Sequence, residues 1–223
     1  MILPPTIIHT ADGSPTLYST QFDAHYHSVY GAWQESSHIY VNLGFNHAQI
    51  LHRNHTLFIF EMGFGTGFNA LLTWIEAEKI KQAIHYVAVE AYPISSELAG
   101  NIEQQLPSFK NEFHTLHEAT WNTPVALTPY FILEKHRTDL QTFDTCYQFD
   151  AIYYDAFAPA IQPELWTEDI FRKITYWMKP NANLTTYCSK VVVQRAMKAA
   201  ARTVEKHPGP PHKREVLRAM FST

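Results

Sequence analysis

Cysteine is scarce in this chain: Cys146 and Cys188 are the only two among 223 residues. Two thiols cannot build a disulfide framework, so the chain reads as a protein of a reducing compartment, with the cytoplasm as its expected location. Long apolar runs are missing as well. No stretch approaches the roughly eighteen residues of a membrane span, and the opening Ile2-Leu3-Pro4-Pro5 lacks the basic-then-apolar order of a signal peptide. There is no internal repeat, low-complexity tract or Gly/Ser linker, and the 13 prolines fall at plausible element ends. A single domain over residues 1–223 is therefore expected. What is present is 46% hydrophobic and 14% aromatic sequence, enough for a core that needs no staples at this length.

Basic residues are few in most of the chain. Residues 1–189 hold 9 Lys/Arg against 19 Asp/Glu, a balance of −10, whereas residues 190–223 hold 8 against 2, a balance of +6. An acidic body with a basic tail is a different object from a uniformly acidic protein. Arg195, Lys198 and Arg202 recur at i, i+3 and i+7, giving one cationic helix face that Lys190, Lys213 and Arg214 extend. Such a face suits the phosphates of a nucleic acid, although a solvated helix surface looks the same.

The order of elements predicts an α/β fold. Ile7-Ile8-His9-Thr10 and Thr16-Leu17-Tyr18, with Asp12-Gly13 between them, read as a β-hairpin appended to the core within an extension over residues 1–50. From 51 onward strand and helix alternate: strands 57–61, 85–90, 130–137, 149–155 and 183–188, with helices 66–78, 94–105, 164–178 and 191–201. Phe68, Leu71, Leu72 and Ile75 give the first of these helices one apolar face, and Ile170, Ile174, Trp177 and Met178 give the long one its stripe. Residues 106–129 read as irregular. Alternation of this kind predicts a mostly parallel sheet covered on both faces. Strands 203–207 and 215–220, separated only by the Pro208–Pro211 turn region, must be antiparallel.

The strongest local signal is Leu57-Phe58-Ile59-Phe60-Glu61-Met62-Gly63-Phe64-Gly65-Thr66-Gly67-Phe68-Asn69, an apolar strand entering a glycine loop that opens a helix. Glycines permit a sharp turn and a close ligand, and free amides at the helix start favour an anionic group. A dinucleotide site would carry Gly-x-Gly-x-x-Gly, but its last glycine position is Phe68. With Glu61 before the loop and Glu90 at the tip of the next strand, the pattern instead resembles the class I S-adenosylmethionine-dependent methyltransferases, with a Rossmann-like sheet. That resemblance implies S-adenosylmethionine as cofactor, Glu61 and the glycines Gly63, Gly65 and Gly67 around it, Glu90 on the ribose hydroxyls, and Asp139, after the next strand, on the adenine amino group.

After the strand 149–155 comes Asp155-Ala156-Phe157-Ala158-Pro159-Ala160. In amino-group methyltransferases an acid, aromatic and proline here hold the acceptor nitrogen, which assigns Asp155 the catalytic place and Phe157 and Pro159 the acceptor. This motif, Pro163-Glu164-Leu165-Trp166, the early His27-Ser28-x-x-Gly31-Ala32-x-x-Glu35-Ser36 and the late Pro208-Gly209-Pro210-Pro211-x-Lys213-Arg214-Glu215 together resemble one family. It is the methyltransferase domain of the bifunctional tRNA 5-methylaminomethyl-2-thiouridine biosynthesis protein. The resemblance runs from about Ile7 to Met220. It implies methylation of the primary amine of 5-aminomethyl(-2-thio)uridine at the tRNA wobble position, with the anticodon stem-loop as partner. The bifunctional protein continues into a flavin-dependent oxidoreductase domain; no second glycine fingerprint occurs here, so a stand-alone methyltransferase without FAD is expected, with any demodifying oxidase a separate protein.

The chemistry sets requirements. Phe157 and Trp166 are placed to flank a planar base, although Trp166, opening an amphipathic helix, equally suits the core. Glu35 and Ser36 are placed to close over cofactor or substrate. An alkylamine with a pKa near ~10 must be deprotonated before it can attack. Asp155, at an ordinary carboxyl pKa near ~3.9, is a poor proton sink, so orienting the amine and stabilising its developing charge is the expected role, with water taking the proton. The histidine pairs His25/His27, His52/His55 and His114/His117 lack the further ligands of a metal site. The same fold with the same loop also serves small-molecule or protein amines. A nicotinamide-dependent oxidoreductase is disfavoured by Phe68, and an RNA-binding module with a vestigial pocket by the joint presence of the glycines, Glu90 and Asp155.

Overall fold

The computed structural model describes residues 4–52, 55–201 and 203–221. Arg202, assigned to the cationic face, lies outside them. The expected hairpin forms from β1 (Thr6–His9) and β2 (Pro15–Ser19), and β3 (Ala24–His25) adds a third antiparallel strand. The hairpin turn is tied to the next helical segment: Asp12 accepts hydrogen bonds from Thr10 Oγ1 and Ser14 N, and its second oxygen accepts one from Gln34 N at 3.1 Å. That segment, absent from the sequence reading, consists of α1 (Ala32–Ser36), a π-helical stretch Ser37–Phe45 and α2 (Asn46–Leu51). Its β-branched, aromatic and histidine content conceals it from propensity. Tertiary burial of Ile39, Tyr40 and Phe45 stabilises it instead.

The core follows as β4 (Leu57–Met62), α3 (Phe68–Ile80), β5 (Ile84–Val89), α4 (Ser96–Glu103), α5 (Lys110–Glu118), β6 (Pro124–Thr128), β7 (Phe131–His136) and β8 (Phe149–Tyr154). It ends with α6 (Glu168–Thr175), β9 (Met178–Thr186), α7 (Val191–Ala200), β10 (Thr203–Pro208) and β11 (Glu215–Met220). The eight strands lie in the order β10-β11-β9-β8-β4-β5-β7-β6. The five central strands run parallel, β6 closes one edge antiparallel to β7, and β11 pairs antiparallel with both β9 and β10. All six residues of β8 are buried, as befits a central parallel strand covered on both faces. Segment 32–51 with α3, α4 and α5 covers one face, and α6 with α7 covers the other.

Two differences from the sequence reading have local causes. The helix expected over 164–178 is a 3₁₀ turn, Pro163–Trp166, followed by α6, because Thr167 adopts an extended conformation and its hydroxyl caps Ile170 N. Met178 then starts β9 rather than ending the helix. The irregular stretch 106–129 contains α5 and β6. Lys135 of β7, 1% exposed, explains how α5 ends: its ammonium donates to the carbonyls of Leu116 at 2.7 Å and His117 at 3.0 Å, the negative end of that helix. Among the described residues no helix is long and apolar enough to cross a membrane.

The chain runs outward from β4 to β5 and β7, then returns to place β8 on β4's other side. The loops at the carboxyl ends of these strands diverge there and leave a crevice, the place where open α/β sheets bind ligands.

Candidate active site

A cavity of about 400 Å³ occupies that crevice. Its floor is the loop after β4, including Gly63, Phe64, Gly65 and Thr66, with Phe68 and Asn69 from the start of α3. Gly63 has φ +91, and a Cβ there would sit 2.8 Å from the backbone oxygen of Asp155, so only glycine lets the ends of β4 and β8 approach this closely. Gly65, at φ +52, passes under Tyr26 in the same manner and donates its amide to Glu90 Oε2 at 2.9 Å. Glu90 also accepts from Tyr92 N at 2.9 Å, and burial raises its pKa. An ionised carboxylate has about four lone-pair sites, so the backbone donors Gly65, Ala91 and Tyr92 do not exhaust its capacity to accept.

The loop after β8 forms the opposite wall and is pinned at three backbone atoms. Trp166 Nε1 donates to the Phe157 carbonyl at 2.8 Å, Phe157 N donates to Gln162 Oε1 at 3.2 Å, and the Tyr187 hydroxyl donates to the Ala156 carbonyl at 3.0 Å. Asp155 lines the cavity with both oxygens held: Tyr40 Oη donates to Oδ1 at 2.6 Å and Asn69 Nδ2 donates to Oδ2 at 2.8 Å. Removal from water outweighs these bonds and pushes the Asp155 pKa up to about 7. The sequence expectation of an ordinary, poorly basic carboxylate is corrected on this point.

The segment that follows the N-terminal hairpin is part of the site, whereas β1 and β2 contribute no lining residue and stay an appendage to the core. Residues 22–29 roof the cavity, and Phe22, Tyr26 and Phe157 form an aromatic cluster at ring separations of 4.9 Å and 5.2 Å about Phe157. His27 stands in the same wall with Nδ1 2.8 Å from Thr16 Oγ1, and burial holds its pKa down at about 4, so it is neutral. Glu35, from α1, accepts Ser28 N at 2.8 Å and an ion pair from Lys213, whose ammonium also lies 4.6 Å from the Tyr187 ring centre. Lys213 sits in the turn between β10 and β11, so the two ends of the chain meet over the cavity.

The structure brings together Gly63, Gly65, Glu90, Asp155, Phe157, Glu35 and Lys213. It separates others. Glu61 is fully buried beneath the floor, bonded to Asn69 Nδ2 at 2.9 Å, and does not line the cavity. Gly67 precedes α3 behind Thr66, Pro159 lies beyond the lining residue Ala158, and Ser36 is buried below Glu35. Asp139 is exposed on the turn after β7, where its carbonyl receives Thr142 N and Phe143 N; Ala91, Tyr92, Ile161 and Gln162 line the wall instead. Trp166, 2% exposed, packs against Tyr154 and Phe171 and holds the Phe157 carbonyl from behind, so it is a core residue and does not stack on a ligand. Arg195, Lys198 and Arg214 are exposed outside the cavity. Sequence reasoning missed Tyr40, Asn69, Phe22 and Tyr26. Asn69 alone carried a signal, an amide in the first turn of α3 on its mostly apolar buried face.

A family model described as S-adenosyl-L-methionine-dependent methyltransferase matches residues 96–222. The fold is similar to the crystal structure of MNMC2 from Aquifex aeolicus, with a TM-score of 0.75 and 23% identity over 96% of this chain and 70% of that one. It is also similar to spermidine synthase from Thermotoga maritima, with a TM-score of 0.56 and 10% identity over 99% and 70%. Human methyltransferase-like protein 13 in complex with SAH gives a TM-score of 0.52 and 12% identity over 84% and 82%. A glycine cradle that a Cβ would fill, an acid at the tip of β5 and a match over more than half its length show that the chain belongs to the S-adenosyl-L-methionine-dependent methyltransferases.

Proposed function

We propose that the chain transfers a methyl group to the primary amine of 5-aminomethyl(-2-thio)uridine at the wobble position of tRNA, as the sequence resemblance implies. The observation that carries amine methylation is Asp155, a carboxylate clamped by two donors in the cavity wall with a pKa of about 7. S-adenosylmethionine, when bound, supplies a sulfonium methyl that the amine lone pair attacks, leaving a neutral thioether and one surplus proton on nitrogen. The Gly63–Gly65 floor and Glu90 hold that cofactor in this reading.

Asp155 takes the proton that the bound ammonium must lose before its lone pair can attack, and the methylated amine leaves as an ammonium. Moving it from an alkylammonium near pKa ~10 to an ordinary carboxylate is uphill by about 8 kcal/mol, and to a group near ~7 by about 4 kcal/mol. Two lone-pair sites on Asp155 remain free of Tyr40 and Asn69 for the amine. Phe22, Tyr26 and Phe157 give the base a stacking surface at the cavity mouth. Lys213 beside them supports an anionic neighbour such as a phosphate, and the exposed Arg195 and Lys198 of α7 extend the reach to the anticodon stem.

The test is transfer of labelled methyl to bulk tRNA from cells lacking the activity, with nucleoside analysis. Label in 5-methylaminomethyluridine with the native chain, and none with Asp155→Ala, is the expected result. Cofactor binding with no label in any nucleoside overturns the tRNA assignment and redirects the search to small-molecule or protein amines. A separate demodifying oxidase is expected only if the tRNA must first be converted to the free amine.

A further inference from the structure

Asn69 neither gives nor takes the proton in this reaction, yet it joins Asp155 to a second acid buried beneath the cavity floor. It lies in the first turn of α3 and is 3% exposed. Its amide nitrogen donates one hydrogen to Asp155 Oδ2 at 2.8 Å and the other to Glu61 Oε1 at 2.9 Å. Glu61 is fully buried. Its second oxygen, Oε2, faces the Tyr86 hydroxyl, close enough to interact but outside good hydrogen-bond geometry.

The charges around this pair are unfavourable to two anions. Facing Asp155 are Tyr40 from the π-helical stretch, Glu35 from α1, Glu61 from β4, Asn69 from α3, Tyr187 after β9 and Lys213 between β10 and β11. Facing Glu61, besides Asp155 and Asn69, are Tyr86 from β5, Glu90 at that strand's tip and Tyr153 from β8. Among these groups Lys213 is the one cation, and it is ion-paired with Glu35. A second negative charge at Glu61 would therefore be buried, held by one well-formed hydrogen bond from Asn69, and uncompensated by any cation among these groups, a state that proteins avoid by keeping the proton.

We propose that Asn69 is a positioning residue that aims Asp155 into the cavity and couples it to Glu61 as a pair holding a single negative charge, with Glu61 keeping its proton while Asp155 ionises and receives the proton from the amine. The arrangement explains why an acid stands under the glycine floor without touching the cavity: as a neutral carboxyl it fills the acceptor role for Asn69's second N–H and leaves the working charge on Asp155. This inference rests on Asp155 being the acceptor-side carboxylate of the proposed reaction.

Two measurements on the full chain test it. In Asn69→Leu, which removes both hydrogen bonds at similar volume, kcat is expected to fall about 10- to 100-fold through misorientation of Asp155, by more than KM rises, and the midpoint of the kcat–pH profile is expected to move. Unchanged kcat and midpoint overturn the positioning role. Infrared spectra at about pH 8, above the ordinary carboxyl range, are expected to show the C=O stretch of a protonated carboxyl that Glu61→Gln removes. If Glu61→Gln removes no such band, Glu61 is ionised and the single-charge pair is overturned, whether or not Asn69→Leu folds. Full turnover in Asp155→Asn would instead sink the underlying reading, separately from the role of Asn69.

Discussion

Gly63 and Asp155, 92 positions apart in sequence, meet so closely that a Cβ on the first would lie 2.8 Å from the carbonyl oxygen of the second. One glycine thus sets the separation between the cavity floor proposed to hold the cofactor and the wall that carries Asp155, the carboxylate proposed to react. Gly63→Ala combines this clash with a positive φ and should cost about 1–3 kcal/mol. Reduced SAH affinity by calorimetry, together with a lower melting temperature, is the expected pair of results; unchanged affinity would show that the approach is not needed.

Asp155 ties activity to pH. Its folded pKa, about 7, lies above the ordinary 3.8, so its ionised form is penalised by folding. Stability associated with the protonated group is present below pH ~4 and is lost as pH rises through about 7. Asp155→Asn should therefore be nearly neutral for stability near pH ~4 and stabilise the chain by at most about 4 kcal/mol above pH ~7. Denaturant titrations at several pH values read this directly. Turnover should move the other way: kcat of the native chain rises across roughly pH 6–8 as the carboxylate forms, and Asp155→Asn loses about 10²–10⁴-fold at the plateau.

The acceptor loop depends on a residue that never reaches the cavity. Trp166→Phe keeps a large ring in the core but strands the Phe157 carbonyl, which now accepts the indole N–H. A loss of about 1–3 kcal/mol in stability is expected. Steady-state kinetics should show KM for the acceptor rising more than KM for the cofactor. Equal rises would mean that the loop does not distinguish the two.

On α7, Arg195 and Lys198 are exposed and lie outside the cavity. If they bind phosphates, Arg195→Glu with Lys198→Glu should weaken tRNA binding at low salt and flatten the log K against log salt slope by about 0.7–0.9 for each phosphate no longer neutralised. Binding of SAH serves as the internal control. An unchanged slope would assign these charges to a solvated helix face.

Most of the β-strands, the glycine loop, the terminal hairpin and the motif at Asp155 were legible from sequence, because each is written locally: apolar runs, glycine spacing, and a carboxylate placed just after a buried strand; the edge strand β6 and the short β3, which lack such a run, were not. Sequence also limited the chemistry to methyl transfer rather than hydride transfer, since Phe68 occupies a place that a dinucleotide site gives to glycine. What tertiary structure alone decided are relations between distant segments. The π-helical stretch brings Tyr40 to Asp155 across 115 positions, and Asn69 links that acid to Glu61. Residues 22–29 fold back as a roof, and Lys213 reaches Glu35 from the far end of the chain. None of these pairs has a spacing that local periodicity encodes. The pKa of Asp155 follows from them, because the withdrawal of water that raises it is a property of the assembled cavity wall and of no single segment.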